Sequence, residues 1–243
     1  MAGPIPSKEI RRPLLVSFSG VDGAGKSTQI ENLRAAAQAA GYRVRQLAFW
    51  DDVVVGCRFR EGFVHKAYGS ERGIGAPGKP VARRDKNVRR WYLTLLRHAL
   101  YFADALHLAW VGVRLGSKEG ELVIFDRYIY DEFANLPLRN PLTRAYIKLM
   151  SLIVPRPDLA YLLDADPEAA RARKPEYPVE FLRESRSAYK DLALLLRSMT
   201  FIPALPLEQA KHRVEQAFWL AAGRPSVAAG AVREASPDAA PAA

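Results

Sequence analysis

The sequence predicts an α/β protein: a parallel five-stranded sheet with helices on both faces. Short apolar runs of strand length alternate with stretches of helical periodicity along the chain, which implies βαβ units and hence a parallel sheet. The first of these runs opens directly into a glycine-rich turn carrying lysine and serine, "VSFSGVDGAGKSTQIENL" at residues 16–33. Two later runs, "ELVIFD" at 121–126 and "DLAYLLD" at 158–164, each end on a carboxylate.

The elements follow in order. "LLVSFS" at 14–19 is the first strand. Ile30, Leu33, Ala37 and Ala40 recur at helical spacing over 26–40, and Gly41 is a natural stop. "RVRQLAF" at 43–49 reads as the second strand. Residues 50–85 are rich in glycine and charge and read as a long loop, which in a compact domain is functional or disordered. Residues 86–114 form a long helix, with Trp91, Tyr92, Leu95, Leu96 and Phe102 expected in the core. After the strand at 121–126 come a helix at 139–153 and the strand at 158–164. Asp166-Pro167-Glu168 has the form of a helix start, Asp as cap and Pro at the first helical position. Leu182, Tyr189 and Leu196 share one face of a helix over about 179–198. "MTFIPA" is the last strand and 206–222 a closing helix. Residues 1–12 read as a flexible tail, 13–222 as one domain, and the Ala/Pro-rich 223–243 as a disordered tail.

Composition narrows the classes of function. A length of 243 residues suits one large α/β domain. Cys57 is the only cysteine, so no intrachain disulfide forms, which fits a reducing, cytoplasmic setting. Arg97, His98, Asp104, His107 and Arg114 interrupt the longest apolar-rich segment, so it is not a membrane span. The apolar run after Arg11 and Arg12 is too short for a signal peptide and leads straight into the glycine turn. His65, His98, His107 and His212 show no metal-ligand spacing. The net charge is +10, and residues 41–90 hold twelve Lys/Arg against five Asp/Glu. Such a segment attracts phosphates. Its arginine pairs at 83–84 and 89–90 read as solvated surface, so nucleic acid is not the expected partner.

Gly20, Gly25, Lys26 and Ser27 fit G-x-x-x-x-G-K-[ST] in full, between a predicted strand and a predicted helix. Each residue has a physical task. The glycines Gly20, Gly23 and Gly25 let the backbone of 20–28, with Ala24 and Thr28, wrap round an anion with its N–H groups inward. The helix starting near Lys26 adds the positive end of its dipole. Lys26 is expected to bridge the β- and γ-phosphates of ATP, and the Ser27 hydroxyl to ligate Mg²⁺. Asp126, at the end of "LVIF", is the candidate second magnesium ligand. The fold predicted is therefore the three-layer P-loop NTPase fold.

Three segments resemble thymidylate kinases: "FSGVDGAGKSTQIENL", "FDRYIYDEFANL" and "PDLAYLLDADPEAARAR", in the family's order over about 14–215. The resemblance implies a kinase of a nucleoside monophosphate, with dTMP the leading acceptor. It places Asp22 near the acceptor's sugar or the metal, and Arg127 on the phosphates between donor and acceptor. It places a lid at about 167–182 whose Arg171, Arg173 or Lys174 supplies the catalytic guanidinium or ammonium. Thymidylate kinases are commonly dimers, and helix 86–114 is the candidate surface for one. The acceptor half departs from the family. "AFWDDVVVGCRFREGF" lacks the Asp-Arg-Glu-Pro-like segment, with Arg58 or Arg60 as candidate substitutes. In "YFADALHL", Ala105 stands where the family's base-reading arginine is expected. Two further readings therefore stay open: a kinase of an unphosphorylated nucleoside or small metabolite, and a nucleotide-binding regulator or nucleic-acid-linked ATPase.

Overall fold

The computed structural model describes residues 13–55, 91–115 and 119–223. Residues 1–12, 56–90 with Cys57, Arg58, Arg60 and His65, 116–118 and 224–243 lie outside them, and with them the expectations for the two tails, most of the 50–85 loop and the 86–90 start of the predicted helix.

Among the described residues five strands form one parallel sheet. They are β1 (Leu14–Gly20), β2 (Arg43–Ala48), β3 (Glu121–Asp126), β4 (Leu159–Leu163) and β5 (Met199–Ile202), in the order β2-β3-β1-β4-β5. The helices are α1 (Lys26–Ala39), α2 (Trp91–Leu115), α3 (Ile129–Phe133), α4 (Pro141–Ile153), α5 (Pro167–Arg173), α6 (Val179–Leu196) and α7 (Leu207–Ala221). A single π turn, Phe49–Val53, follows β2.

The alternation of side chains along each strand builds two cores. Leu14, Val16 and Phe18 of β1, Leu122 and Ile124 of β3, and Tyr161 and Leu163 of β4 face α1 and α7. There they meet Ile30, Leu33 and Ala37, and Val214 and Phe218. Val123 and Phe125 of β3, with Ala160 and Leu162 of β4, face α2, α3, α4 and α6. Both faces are covered, which is why β3 and β4 read as near-continuous apolar runs.

Local signals match the elements they predict. Gly41, at φ +85°, ends α1, and the Gly41 and Tyr42 N–H groups close on Gln38 and Ala37 carbonyls. Asp166 caps α5 by accepting from the Ala169 N–H at 3.0 Å, with Pro167 at the first position.

One expectation is corrected. Helix α2 buries Tyr101, Ala105 and Leu108, while Tyr92, Leu95, Leu96 and Phe102 are exposed and not core. The helix is apolar on more than one side, so its periodicity does not say which side packs inward. Glu168 of α5 pairs with Arg183 of α6.

The order of strands fixes where a site can form. The chain leaves β1 over one face through α1 and leaves the adjacent β3 over the other face through α3. A crevice opens between their carboxyl ends, the place where α/β sheets bind ligands.

Candidate functional site

The glycine turn sits at that crevice. Gly20, Gly23 and Gly25 all have positive φ, at 142°, 81° and 86°. At Gly20 a Cβ would lie 2.4 Å from the Leu163 carbonyl oxygen, and at Gly23 one would lie 2.3 Å from that of Ala170. The turn is thus packed against β4 on one side and against helix α5 on the other, and side chains there have no room. Gly25 caps α1, whose first turn holds no acidic residue. The positive end of the 14-residue helix is therefore not neutralised locally. Ser27 and Thr28 are exposed on that first turn.

Lys26 is buried and folds its ammonium over the turn. Its Nζ donates to the Gly20 and Val21 carbonyls at 2.8 and 2.9 Å and lies 3.9 Å from Asp22 Oδ1. Burial lowers its pKa to about 8, with the Arg127 charge pushing the same way and Asp22 opposing.

Asp126 closes β3 directly beside Phe18 of β1. Arg127 follows in the left-handed region, at φ 66°, with its N–H on the Phe18 carbonyl at 3.0 Å. That turn throws its guanidinium toward the glycine loop. It is held there between two carboxylates, donating through Nη2 to Asp22 Oδ1 and through Nη1 to Asp131 Oδ1, the latter at 3.1 Å. Burial works against the charge, but Asp131 and Asp22 outweigh it and keep Arg127 protonated.

The lid candidates are placed less tightly. Arg171 and Arg173 are exposed on α5, and Arg173 Nε donates back to the Ala169 carbonyl at 3.2 Å. Lys174 pairs with Glu176 at 3.2 Å. Their helix nonetheless touches the loop through Ala170 and Gly23.

The donor set suits magnesium brought in with a nucleotide. Among the described residues no group of three or more His, Cys, Asp or Glu side chains is placed to hold a metal alone. One hydroxyl at Ser27 and one carboxylate at Asp126 are the partial set that Mg²⁺ takes when phosphates and water complete its shell.

On the acceptor side the chain after β2 is tied down by its own polar groups. Asp52 accepts from the Ala48 N–H at 2.7 Å, and Asp104 from the Val55 N–H at 2.9 Å. His107 Nδ1 lies 2.6 Å from the Val53 carbonyl. His98 and His107 are therefore structural, each bonded to a main-chain carbonyl. Ala105 is fully enclosed in the core. Among the described residues no helix is long and apolar enough to cross a membrane.

No family model matches the chain. Curated relatives do. A thymidylate kinase of Bifidobacterium longum subsp. infantis is 32% identical over 191 residues, covering 74% of this chain and 74% of its own. The chain belongs to the thymidylate kinase family. A probable thymidylate kinase of Methanosphaera stadtmanae is 26% identical over 201 residues, covering 80% of this chain and 91% of its own. Solved thymidylate kinases from Candida albicans and Ehrlichia chaffeensis share the fold, with TM-scores of 0.55 and 0.51, each at 17% identity. They cover 84% and 85% of this chain, and 89% and 98% of their own. This thymidylate kinase-like chain thus has the P-loop fold expected of it.

Two site residues of this family member are not apparent from its sequence. Asp131, in the five-residue helix α3, is buried and accepts from Ser19 Oγ, Tyr128 N, Arg127 Nη1 and Tyr189 Oη. Tyr189 was expected only as a core residue of α6. A carboxylate inside the aromatic run "IYDEF" carries no spacing signal, because two of its partners, Ser19 and Tyr189, come from distant segments.

Proposed function

We propose that this protein transfers the γ-phosphoryl group of ATP to a nucleoside monophosphate, dTMP first, within a kinase domain spanning 13–222 and in the cytoplasm. The observation that carries the reading is the meeting of Lys26 and Arg127 at one crevice, two cations of the loop and of the β3 end converging beside a helix N-terminus that has no side-chain cap. Phosphoryl transfer needs little covalent help from a protein; it needs positioning and charge stabilisation.

The roles follow from that demand. The N–H groups of 20–28 cradle the donor's phosphates, and Lys26 reaches the β- and γ-oxygens. Ser27 and Asp126 would hold Mg²⁺, which would supply positive charge to offset that of the phosphates. An acceptor phosphate oxygen attacks the γ-phosphorus in line while the bond to the β-bridging oxygen breaks, leaving ADP. Arg127 stabilises the equatorial oxygens between the two substrates. Arg171 and Arg173, on the lid at 167–182, add a second guanidinium on closure and exclude water. Asp22 orients the acceptor's sugar and Arg127 together. A homodimer through α2 belongs to the same reading.

A second reading has its own support. The turn after β2 presents Trp50, Asp51 and Asp52 with no arginine among its described residues, and Ala105 offers no donor to a base. The absence of an arginine from that described turn supports an unphosphorylated acceptor as the alternative reading.

A coupled ADP-release assay with MgATP, run across nucleoside monophosphates and nucleosides, decides between them. Turnover selective for dTMP is the expected result. Turnover on nucleosides alone supports the second reading, and ATP binding without turnover on any acceptor removes both. Lys26→Ala is expected to keep the fold and lower turnover by about a hundredfold or more; full activity in that variant would overturn the mechanism.

A further inference from the structure

We propose that Asp131 is a positioning residue for this transfer, one that fixes the Arg127 guanidinium and ties it to helix α6 behind the lid. The inference rests on the kinase reading above.

Four donors converge on one carboxylate. Asp131 Oδ2 accepts from Ser19 Oγ at 2.7 Å and from the Tyr128 N–H at 3.1 Å. Oδ1 accepts from Arg127 Nη1 at 3.1 Å and from Tyr189 Oη at 2.6 Å. The side chain is 6% exposed, against 27% for Arg127 and 22% for Asp22. Asp131 is thus the interior anchor of the guanidinium, and Asp22 is the anchor on the ligand side.

Each partner adds a direction of control. Ser19 directly precedes Gly20, so the carboxylate is registered to the strand that carries the loop. The Tyr128 N–H fixes it to the residue after Arg127. Tyr189 lies on α6, the helix that follows the lid segment, so its hydroxyl ties that helix to the atom that holds Arg127. Arg127 itself sits at φ 66°, a conformation that a non-glycine side chain keeps only where surrounding contacts over-determine it. A shift of α6 therefore changes the bonding at Oδ1 and with it the aim of the guanidinium.

The test is a kinetic cycle. Asp131→Asn keeps the shape and removes the charge. It is expected to lower kcat by about a hundredfold while leaving KM for MgATP and for the acceptor within about threefold, the mark of lost orientation and not lost binding. Tyr189→Phe removes one hydroxyl and is expected to act in the same direction, more weakly. In an Arg127→Ala background Asp131→Asn is expected to add nothing. An unchanged kcat in Asp131→Asn, or the same loss in both backgrounds, overturns the proposal.

A second measurement does not depend on turnover. The Arg127 side-chain signals in ¹⁵N NMR are expected to show a restrained guanidinium in the wild type and a more mobile one, held by Asp22 alone, in Asp131→Asn, with Tyr189→Phe between. Identical signals in all three overturn the proposal. Absence of wild-type turnover on every acceptor sinks the kinase reading instead, and the NMR comparison still decides whether Asp131 holds Arg127.

Discussion

Asp164 receives Arg186 as a fork, with Nε and Nη2 donating to its two carboxylate oxygens at 2.6 and 2.7 Å. Lys190 lies 3.3 Å from the same group. The pair joins the carboxyl end of β4 to α6. Burial alone raises the Asp164 pKa, but Arg186 first and Lys190 next hold it below the usual range. A carboxyl whose folded pKa is depressed contributes stability that is present above its unfolded pKa, near 4. That stability is lost as pH falls through the folded value. Arg186→Ala is therefore expected to cost about 1–2 kcal/mol at neutral pH, discounted because the arginine is partly exposed. The gap to wild type should hold in urea titrations down to about pH 4 and narrow only as pH falls below that. A gap that stays constant would place the stabilisation elsewhere.

Lys26, with a pKa of about 8, is partly neutral in mildly alkaline solution. Polyphosphate beside it favours the charged form and raises that pKa. MgATP binding at about pH 8.5 is thus expected to take up somewhat more than half a proton through this residue, and almost none at about pH 6.5. Calorimetry in two buffers of different ionisation enthalpy reads the difference. Lys26→Arg, always protonated, should abolish the alkaline uptake. For the unliganded protein the sign is also fixed: below about pH 8 the lysine is charged in both states, and its destabilising effect fades as pH rises from there toward 10.5.

Gly23 and Gly25 have nearly the same backbone angle but different surroundings. Alanine at Gly25 meets no atom within 4 Å, so it carries only the left-handed penalty of about 1–2 kcal/mol. Alanine at Gly23 must in addition push the Ala170 carbonyl and helix α5 away. Gly23→Ala is expected to lower Tm further and to weaken nucleotide affinity more. Equal effects in thermal melts would show that the contact between loop and lid helix is not tight.

Tyr161 stands in the middle of β4, stacked on Phe18 with ring centroids 4.9 Å apart, and its hydroxyl donates to the Val214 carbonyl at 2.7 Å. Burial pushes that phenol's pKa up. Tyr161→Phe keeps the stack and removes this polar link between β4 and α7. A loss of about 1 kcal/mol in urea unfolding is expected, with activity unchanged.

Much of this molecule is legible in its sequence because its signals are local. Gly41 and Asp166-Pro167 mark helix ends by their own backbone chemistry, and the buried strands announce themselves as apolar runs. The glycine turn names the site because its spacing is itself the cradle. What stayed hidden depends on distant partners. Ser19, Asp131 and Tyr189 lie more than fifty residues apart from one another along the chain, and only the strand order brings them together. Helix α3, at five residues, is too short for periodicity to declare. The outward face of α2, with Leu95 and Trp110, carries the same residue types as its core face, so burial was misread there.

Ala105 shows how one small side chain can entrench a preference. It is completely enclosed, and the aliphatic and aromatic neighbours of that core have closed around a single methyl group. An arginine placed at this position would have to force that core apart or leave its charge without water. The position is closed to any long or charged side chain until the surrounding packing loosens, so a single substitution at Ala105 cannot deliver a guanidinium to a ligand through this core.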